Sequence, residues 1–421
     1  MSSSTARLDG EASLEELKQL SRTASVGVVG SELAHLRSID PATFLGKGKI
    51  EQLKQILAGA EADGLIVDEE LSPTQQRNLE TEFDAKVLTR SELILDIFAQ
   101  RAKSSEGKLQ VELAQLKYLL PRLTGHGVLL SRLGGGIGTR GPGEQKLEVD
   151  RRRLRERLLR LENEIEHLRS TRATQRKRRT KNHLPALAII GYTNAGKSTL
   201  LNHLTEADAL VENKLFSTLD PTTRSLRLPG GREVVLIDTV GFIGKLPPQL
   251  VAAFRATLEE ITFADLLVFL MDAASPRLDR EIAVTDEVLA GLDATNKPML
   301  YAYNKIDLLE DRVVLQGRLS RRTPSAAISA RSGDGVQKML ELIEQQIATL
   351  TRVVILELPY DHYDLIAAAH KQGRVQGKKY ADQTLWLRLE INDDLPGPLA
   401  KYQRSESDFS DWNDGDAAEN T

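Results

Sequence analysis

Gly191-Tyr192-Thr193-Asn194-Ala195-Gly196-Lys197-Ser198, continued by Thr199, is the stretch that decides how this chain folds. The apolar run Leu187–Ile190 precedes it, and Leu200, Leu201 and Leu204 follow at helical spacing, so it joins a strand to a helix. Gly191 and Gly196 let successive backbone N–H groups turn inward around an anion with no Cβ in the way. The helix start adds its unpaired N–H groups and the positive end of its dipole. Lys197 is long enough to reach terminal phosphates, and the Ser198 hydroxyl is a ligand type that suits Mg²⁺. A glycine turn before an arbitrary helix needs neither the lysine nor the hydroxyl at this spacing. The stretch predicts a P-loop for a nucleoside triphosphate.

Working outward, three further elements follow in order. Asp238-Thr239-Val240-Gly241 ends the apolar run Val234–Ile237; the carboxylate can hold Mg²⁺ through water, and the Gly241 N–H can face a γ-phosphate. Asn304-Lys305-Ile306-Asp307 follows Met299–Tyr303, and the Asp307 carboxylate can accept two hydrogen bonds from a guanine edge. Adenine offers no donors there and would leave the carboxylate unpaired. The Lys305 stem can lie along the base. Ser329-Ala330-Arg331, after Ala326–Ile328, can present a backbone N–H to guanine O6. Each short motif is weak alone, but four in this order at strand ends predict a GTPase domain over residues 184–350. Thr218, Thr222 and Thr223 are all candidates to complete the Mg²⁺ shell. Phe242 stands where a glutamine could orient the attacking water, which predicts slow hydrolysis. Asn194 is either a ligand for a monovalent cation such as K⁺ or a turn residue bonding its own backbone.

Upstream, residues 1–24 read as a flexible polar lead-in with a short amphipathic helix near Leu14–Leu20. Residues 25–108 alternate strands and helices from Val26-Gly27-Val28-Val29 onward, with Pro73 opening one helix and Ser91 capping another. That predicts a small α/β domain with a mainly parallel sheet. Phe44–Lys49 reads as a turn into the helix from Ile50 rather than a second nucleotide site. Over residues 109–183, Leu109, Leu113, Leu116, Leu120 and Leu123 repeat at heptad spacing, as do Leu147, Leu154, Leu158, Leu161, Ile165 and Leu168. The pattern predicts an antiparallel helical hairpin. Its tip, Ser131–Glu144, is glycine-rich and carries Arg132 and Arg140; it reads either as a linker or as backbone able to approach RNA. Residues 146–181 hold fourteen Lys or Arg against six Asp or Glu, closing on the basic run Arg176–Lys181. Residues 351–400 read as a small α+β domain and 401–421 as an acidic, disordered tail.

Composition sets the remaining bounds. The 421 residues carry a formal charge of −4 and no cysteine, which excludes disulfides, zinc–thiolate sites and cysteine nucleophiles. No signal peptide or membrane span is apparent, so a cytoplasmic monomer is expected.

The motifs resemble those of the HflX GTPases, within the translation-factor-related Obg–HflX group. The resemblance covers about residues 25–350. It rests on Phe44–Lys49, Gly134–Gly143, the P-loop, Phe216-Ser217-Thr218-Leu219-Asp220-Pro221-Thr222-Thr223-Arg224, Asp238–Ile243 and Asn304–Asp307. It implies that Phe216–Asp220 line the nucleotide and that Thr218 is the Mg²⁺ ligand. Lys197, Thr218 and Gly241 are then the catalytic residues, and Ser198, Thr218 and Asp238 the metal site. It also implies binding of the large ribosomal subunit and its rRNA, with separation or rescue of stalled or idle ribosomes. The competing reading is a GTP-regulated adaptor whose hairpin holds a protein; the basic run and the arginine-flanked glycines favour RNA.

Overall fold

The computed structural model describes residues 3–34, 36, 38–122, 142–181, 184–205, 215–216, 222–245, 258–311, 313–381, 383–391 and 395–405. The glycine-rich stretch through Gly141, the Ser217–Asp220 segment and the tail beyond Ser405 lie outside these residues.

The first element corrects the expected flexible lead-in. Helix α1 (Ser3–Thr23) buries Leu17, Leu20 and nearby Ala24, which recur three and four positions apart. Among its described side chains the other buried positions are Ser13, Glu16, Ser21 and Thr23, and this polarity makes the stretch look solvated. Two of those hydroxyls are satisfied within the helix, Ser21 on the Leu17 carbonyl at 2.9 Å and Thr23 on the Gln19 carbonyl at 2.8 Å. The strand expected at Val26–Val29 does not form; those residues are exposed and without regular structure.

Helix α2 (Lys47–Gly59) starts directly after Gly46, so Phe44–Lys49 is a turn into a helix. Strands β1 (Gly64–Val67) and β2 (Lys86–Thr89) pair in parallel, with α3 (Pro73–Phe83) between them in sequence. Helix α4 (Arg90–Arg101) is capped by Thr89 rather than Ser91, through a capping box with Glu92. Ser91 is buried and bonded to Glu70 instead. Helices α5 (Ser105–Arg122) and α6 (Pro142–Lys181) pack along a seam of Leu109, Leu113 and Leu116 against Leu158, Leu161 and Ile165. Glu112 and Arg157 flank the seam with two hydrogen bonds at 2.7 and 2.9 Å. With 40 residues, α6 is about 60 Å long.

The GTPase domain is a six-stranded sheet in the order β4-β5-β3-β6-β7-β8. Its strands are β3 (Ala186–Ile190), β4 (Thr222–Arg227), β5 (Glu233–Asp238), β6 (Leu266–Asp272), β7 (Met299–Asn304) and β8 (Ser325–Ala327). Only β4 runs antiparallel, as the first arm of the Pro229–Arg232 hairpin, with β5 the second. The central strands are continuous apolar runs because both faces are covered. One face packs Leu200 of α7 (Lys197–Thr205) and Met339 and Ile343 of α10 (Val336–Leu350). The other packs Leu278 and Leu289 of α8 (Leu278–Gly291) and Leu315 of α9 (Val313–Leu319). The P-loop, Asp238–Gly241, Asn304–Asp307 and Ser329–Arg331 lie at or just beyond the C-terminal ends of β3, β5, β7 and β8, the usual ligand edge of such sheets.

The C-terminal domain is an antiparallel sheet, β10-β11-β9-β12, backed by α11 (Tyr363–Gln372). Its strands are β9 (Arg352–Pro359), β10 (Arg374–Tyr380), β11 (Thr384–Ile391) and β12 (Gln403–Arg404). The short helix α12 (Gly397–Ala400) connects β11 to β12. β12 pairs with β9, so ordered sheet continues past the boundary expected at residue 400.

A single apolar core crosses from the N-terminal half into the GTPase domain. It joins Leu17 and Leu20 of α1, Ile94, Ile97 and Phe98 of α4 and Val111, Ala114 and Tyr118 of α5 to Phe216, Val240 and Ile243. Burying one leucine such as Leu20 contributes about 1.5–3 kcal/mol.

Candidate active site

The P-loop leaves β3 at Gly191 with φ 145°, and Gly196 follows with φ 97°, both in the region that favours glycine. Crowding adds to the requirement: a Cβ on Gly191 would lie 2.1 Å from the Leu270 carbonyl oxygen, and one on Gly196 2.3 Å from Asn304 Nδ2. Asn194 also takes a left-handed φ of 62°, which asparagine tolerates. Lys197 opens α7 and is 7% exposed. Its ammonium donates to the carbonyls of Gly191 at 3.1 Å and Tyr192 at 2.8 Å. Burial draws its pKa down to about 8, and the charge of Asp238 opposes that shift.

Asp238, at the end of β5, is 1% exposed, and the Ser198 hydroxyl donates to its Oδ2 at 3.4 Å. A buried carboxylate and a hydroxyl side by side are hard oxygen donors of the kind Mg²⁺ takes. Thr239 serves the fold: it is fully buried and donates to the Ile189 carbonyl at 2.6 Å, tying β5 to β3. Gly241 approaches the lysine so closely that a Cβ would meet Lys197 Nζ at 2.8 Å. Val240 turns into the core shared with α1, α4 and α5. The Phe242 ring is 2% exposed and packs below the sheet with Ala188, Ile190 and Phe269. That position therefore offers no side chain to an attacking water.

Asn304 is a brace. Its side chain donates to the Ala195 carbonyl at 2.7 Å and accepts the Ala330 N–H at 2.8 Å, joining the P-loop to the Ser329–Arg331 turn. Lys305 adopts a left-handed φ of 64° and pairs with Asp272 at 2.7 Å. Ile306 fills the core, while Asp307 lies in an exposed 3₁₀ turn. Ser329 is fully buried and its hydroxyl accepts the Ser332 N–H at 3.2 Å; Ala330 is buried and Arg331 exposed. Phe216 points into the interdomain core, its ring edge-on to Phe98 at 4.6 Å between centroids. Ser217, Thr218, Leu219 and Asp220 fall outside the described residues.

Asp272 was missed by motif reading, although a carboxylate closing the apolar run Leu266–Met271 is a visible signal. Glu16, Arg90 and Lys245, which meet Tyr192 or its neighbours, carried no local signal at all.

Four strand-end elements, with Asn304 joining the first to the last, define this as a P-loop GTPase. Residues 11–99 and 101–179 match family models for the N-terminal and middle regions of GTP-binding GTPases, and residues 186–305 match one described as a 50S ribosome-binding GTPase. The chain is 49% identical to GTPase HflX of Caldanaerobacter subterraneus subsp. tengcongensis, covering 94% of this chain and 91% of the relative. It is 39% identical to GTPase HflX of Escherichia coli strain K12, covering 93% and 91%. The chain belongs to the HflX family, and it is a GTP-hydrolysing enzyme. Among solved structures, a GTP-binding protein from the archaeon Sulfolobus solfataricus in complex with GDP is similar at 27% identity and TM-score 0.44, covering 80% of this chain and 96% of that one. Among the described residues no helix is long and apolar enough to cross a membrane.

Proposed function

We propose that this GTPase binds the large ribosomal subunit and uses its nucleotide state to set the affinity of that contact, separating stalled or idle ribosomes. The carrying observation is the interdomain core. Phe216, which opens the segment containing Thr218, and Val240 and Ile243, which flank Gly241, pack on α4 and α5. Helix α5 is one half of the helical arm whose glycine-rich stretch holds Arg132 and Arg140. A γ-phosphate that draws in Thr218 and Gly241 therefore pulls on residues embedded in the base of the arm. Close-packed cores pass such shifts on rather than absorbing them. The matching family model's description as a 50S ribosome-binding GTPase and the basic composition of α6 both favour rRNA as what the arm meets.

Within the site, Ser198 and Asp238 would hold Mg²⁺, with Thr218 completing its shell, and the ion would neutralise charge on the β- and γ-phosphates. Lys197 binds the same phosphates and the Gly241 N–H marks the γ-phosphate. Asp307 reads guanine, supported by Lys305 and the Ser329–Arg331 turn; Asn194 is the candidate K⁺ ligand. With Phe242 turned into the core, basal hydrolysis is slow until a partner orients the water, an effect worth roughly 10³–10⁵ in rate.

Two experiments test this reading. Shortening Gly134–Gly143 should leave nucleotide binding intact and abolish splitting of vacant ribosomes with GTP; undiminished splitting would make the stretch a linker. Asp307→Asn exchanges an acceptor for a donor and should weaken GTP by about 1–3 kcal/mol while favouring xanthine nucleotides. Unchanged GTP affinity would remove Asp307 from the base site.

A further inference from the structure

Between the N-terminal and GTPase domains, one set of buried polar groups is built around the nucleotide loop itself. The Tyr192 hydroxyl, on the second residue of the P-loop, donates to Glu16 Oε1 at 2.5 Å and accepts the Gly244 N–H at 2.7 Å. Glu16 also accepts from Arg90, whose second amino group reaches Asp68 at 2.8 Å. Asp68 in turn takes Lys245 at 2.9 Å and the Ser13 hydroxyl at 2.5 Å. Glu16 is 6% and Arg90 1% exposed, so neither can exchange these partners for bulk water.

The polarity of the chain is fixed by chemistry. A carboxylate only accepts, so the phenol must donate to Glu16, and its lone pair is left for Gly244. Burial and the adjacent Glu16 charge both raise the pKa of the phenol, keeping that proton in place.

The consequence falls on the segment after Asp238. Phe242 N–H donates to the Gly191 carbonyl at 3.1 Å, and Thr193 N–H to the Phe242 carbonyl at 2.7 Å. Gly244 N–H on Tyr192 is the third stitch, and the only one of the three that depends on a side chain. In this register Gly241 is pressed beside Lys197, where the terminal phosphates are met. Gly244 is itself buried, so its N–H has no water to fall back on.

We propose that Glu16 of α1, acting through the Tyr192 hydroxyl, is a positioning residue for GTP hydrolysis that sets the register of Gly241–Lys245 against the P-loop. The first helix of the chain is thereby part of the hydrolytic machinery. The assignment concerns the hydrolysis site and is independent of what the arm meets.

The test uses the full chain under single-turnover conditions with saturating GTP, alongside GDP affinity measured with a fluorescent nucleotide. Tyr192→Phe keeps the ring in the core and removes only the hydroxyl, so it isolates the contact even where Glu16→Ala loosens α1. Both variants should hydrolyse GTP about tenfold more slowly, the worth of one buried hydrogen bond, with GDP affinity within about twofold. The double variant should be no slower than Tyr192→Phe, because the two residues act in series. Glu16→Gln, which still offers the tyrosine an acceptor, should recover most of the rate. An unchanged rate in Tyr192→Phe, additive losses in the double variant, or a parallel loss of GDP affinity would each overturn the assignment.

Discussion

On its N-terminal side the GTPase domain sinks Phe216, Val240 and Ile243 into an apolar core shared with three helices. On its C-terminal side it reaches across chiefly from the tip of the β4–β5 hairpin, where Arg232 pairs with Glu390 of β11. Glu390 is buried and is also held by Thr351 at 2.6 Å and Gln376 at 3.2 Å. Residues flanking the candidate nucleotide site are thus committed to packing, and a residue at the far end of the hairpin to a polar pin. In the proposed mechanism, packing would couple the nucleotide to the arm through shape. The pin would fix a domain in place without involving the proposed phosphate-site residues.

The largest expected effect breaks the packed side. Phe216→Ala empties the contact with Phe98 and should cost about 3–5 kcal/mol, read as a lowered urea midpoint with the N-terminal half and the GTPase domain unfolding separately. Unfolding in one transition at the wild-type midpoint would show that the core does not hold the halves together. Next, Arg232→Ala leaves the buried Glu390 to Thr351 and Gln376, a loss of about 2 kcal/mol given those remaining partners. Faster hydrogen exchange should be confined to β9–β11, with the GTPase rate unchanged; a slowed rate would mean that the pin also reports on the nucleotide. Smallest is Lys245→Ala, which removes partly exposed pairs to Asp68 and Glu69 and should cost under about 1 kcal/mol. A larger loss, abolished by salt, would move the weight of the N-terminal interface from packing to charge.

The clustering of the candidate nucleotide-site residues was legible because phosphate and metal binding would each demand particular residue types at fixed spacing from a strand end. Gly191, Lys197, Ser198, Asp238 and Gly241 come together on that account. Asn304 was read with the base but works as a brace, since the same side chain can do either and only its neighbours decide. Beyond the short helix expected near Leu14–Leu20, the length and burial of α1 escaped because its inward face is half polar, and Glu16 meets Tyr192 176 positions away. No local pattern encodes such a pairing. Strands β10 and β12 escaped for another reason. β10 is an exposed edge carrying Lys378 and Lys379, and β12 is two residues long, so neither shows apolar alternation.

The proposed coupling runs from the nucleotide to the arm through the Phe216 core. Co-sedimentation of the wild type and Phe216→Ala with large ribosomal subunits, each with GDP and with a non-hydrolysable GTP analogue, tests it most directly. The wild type should bind more tightly with the analogue, while Phe216→Ala should bind both forms alike and still bind nucleotide. A variant that kept the full difference between the two nucleotides would contradict the account.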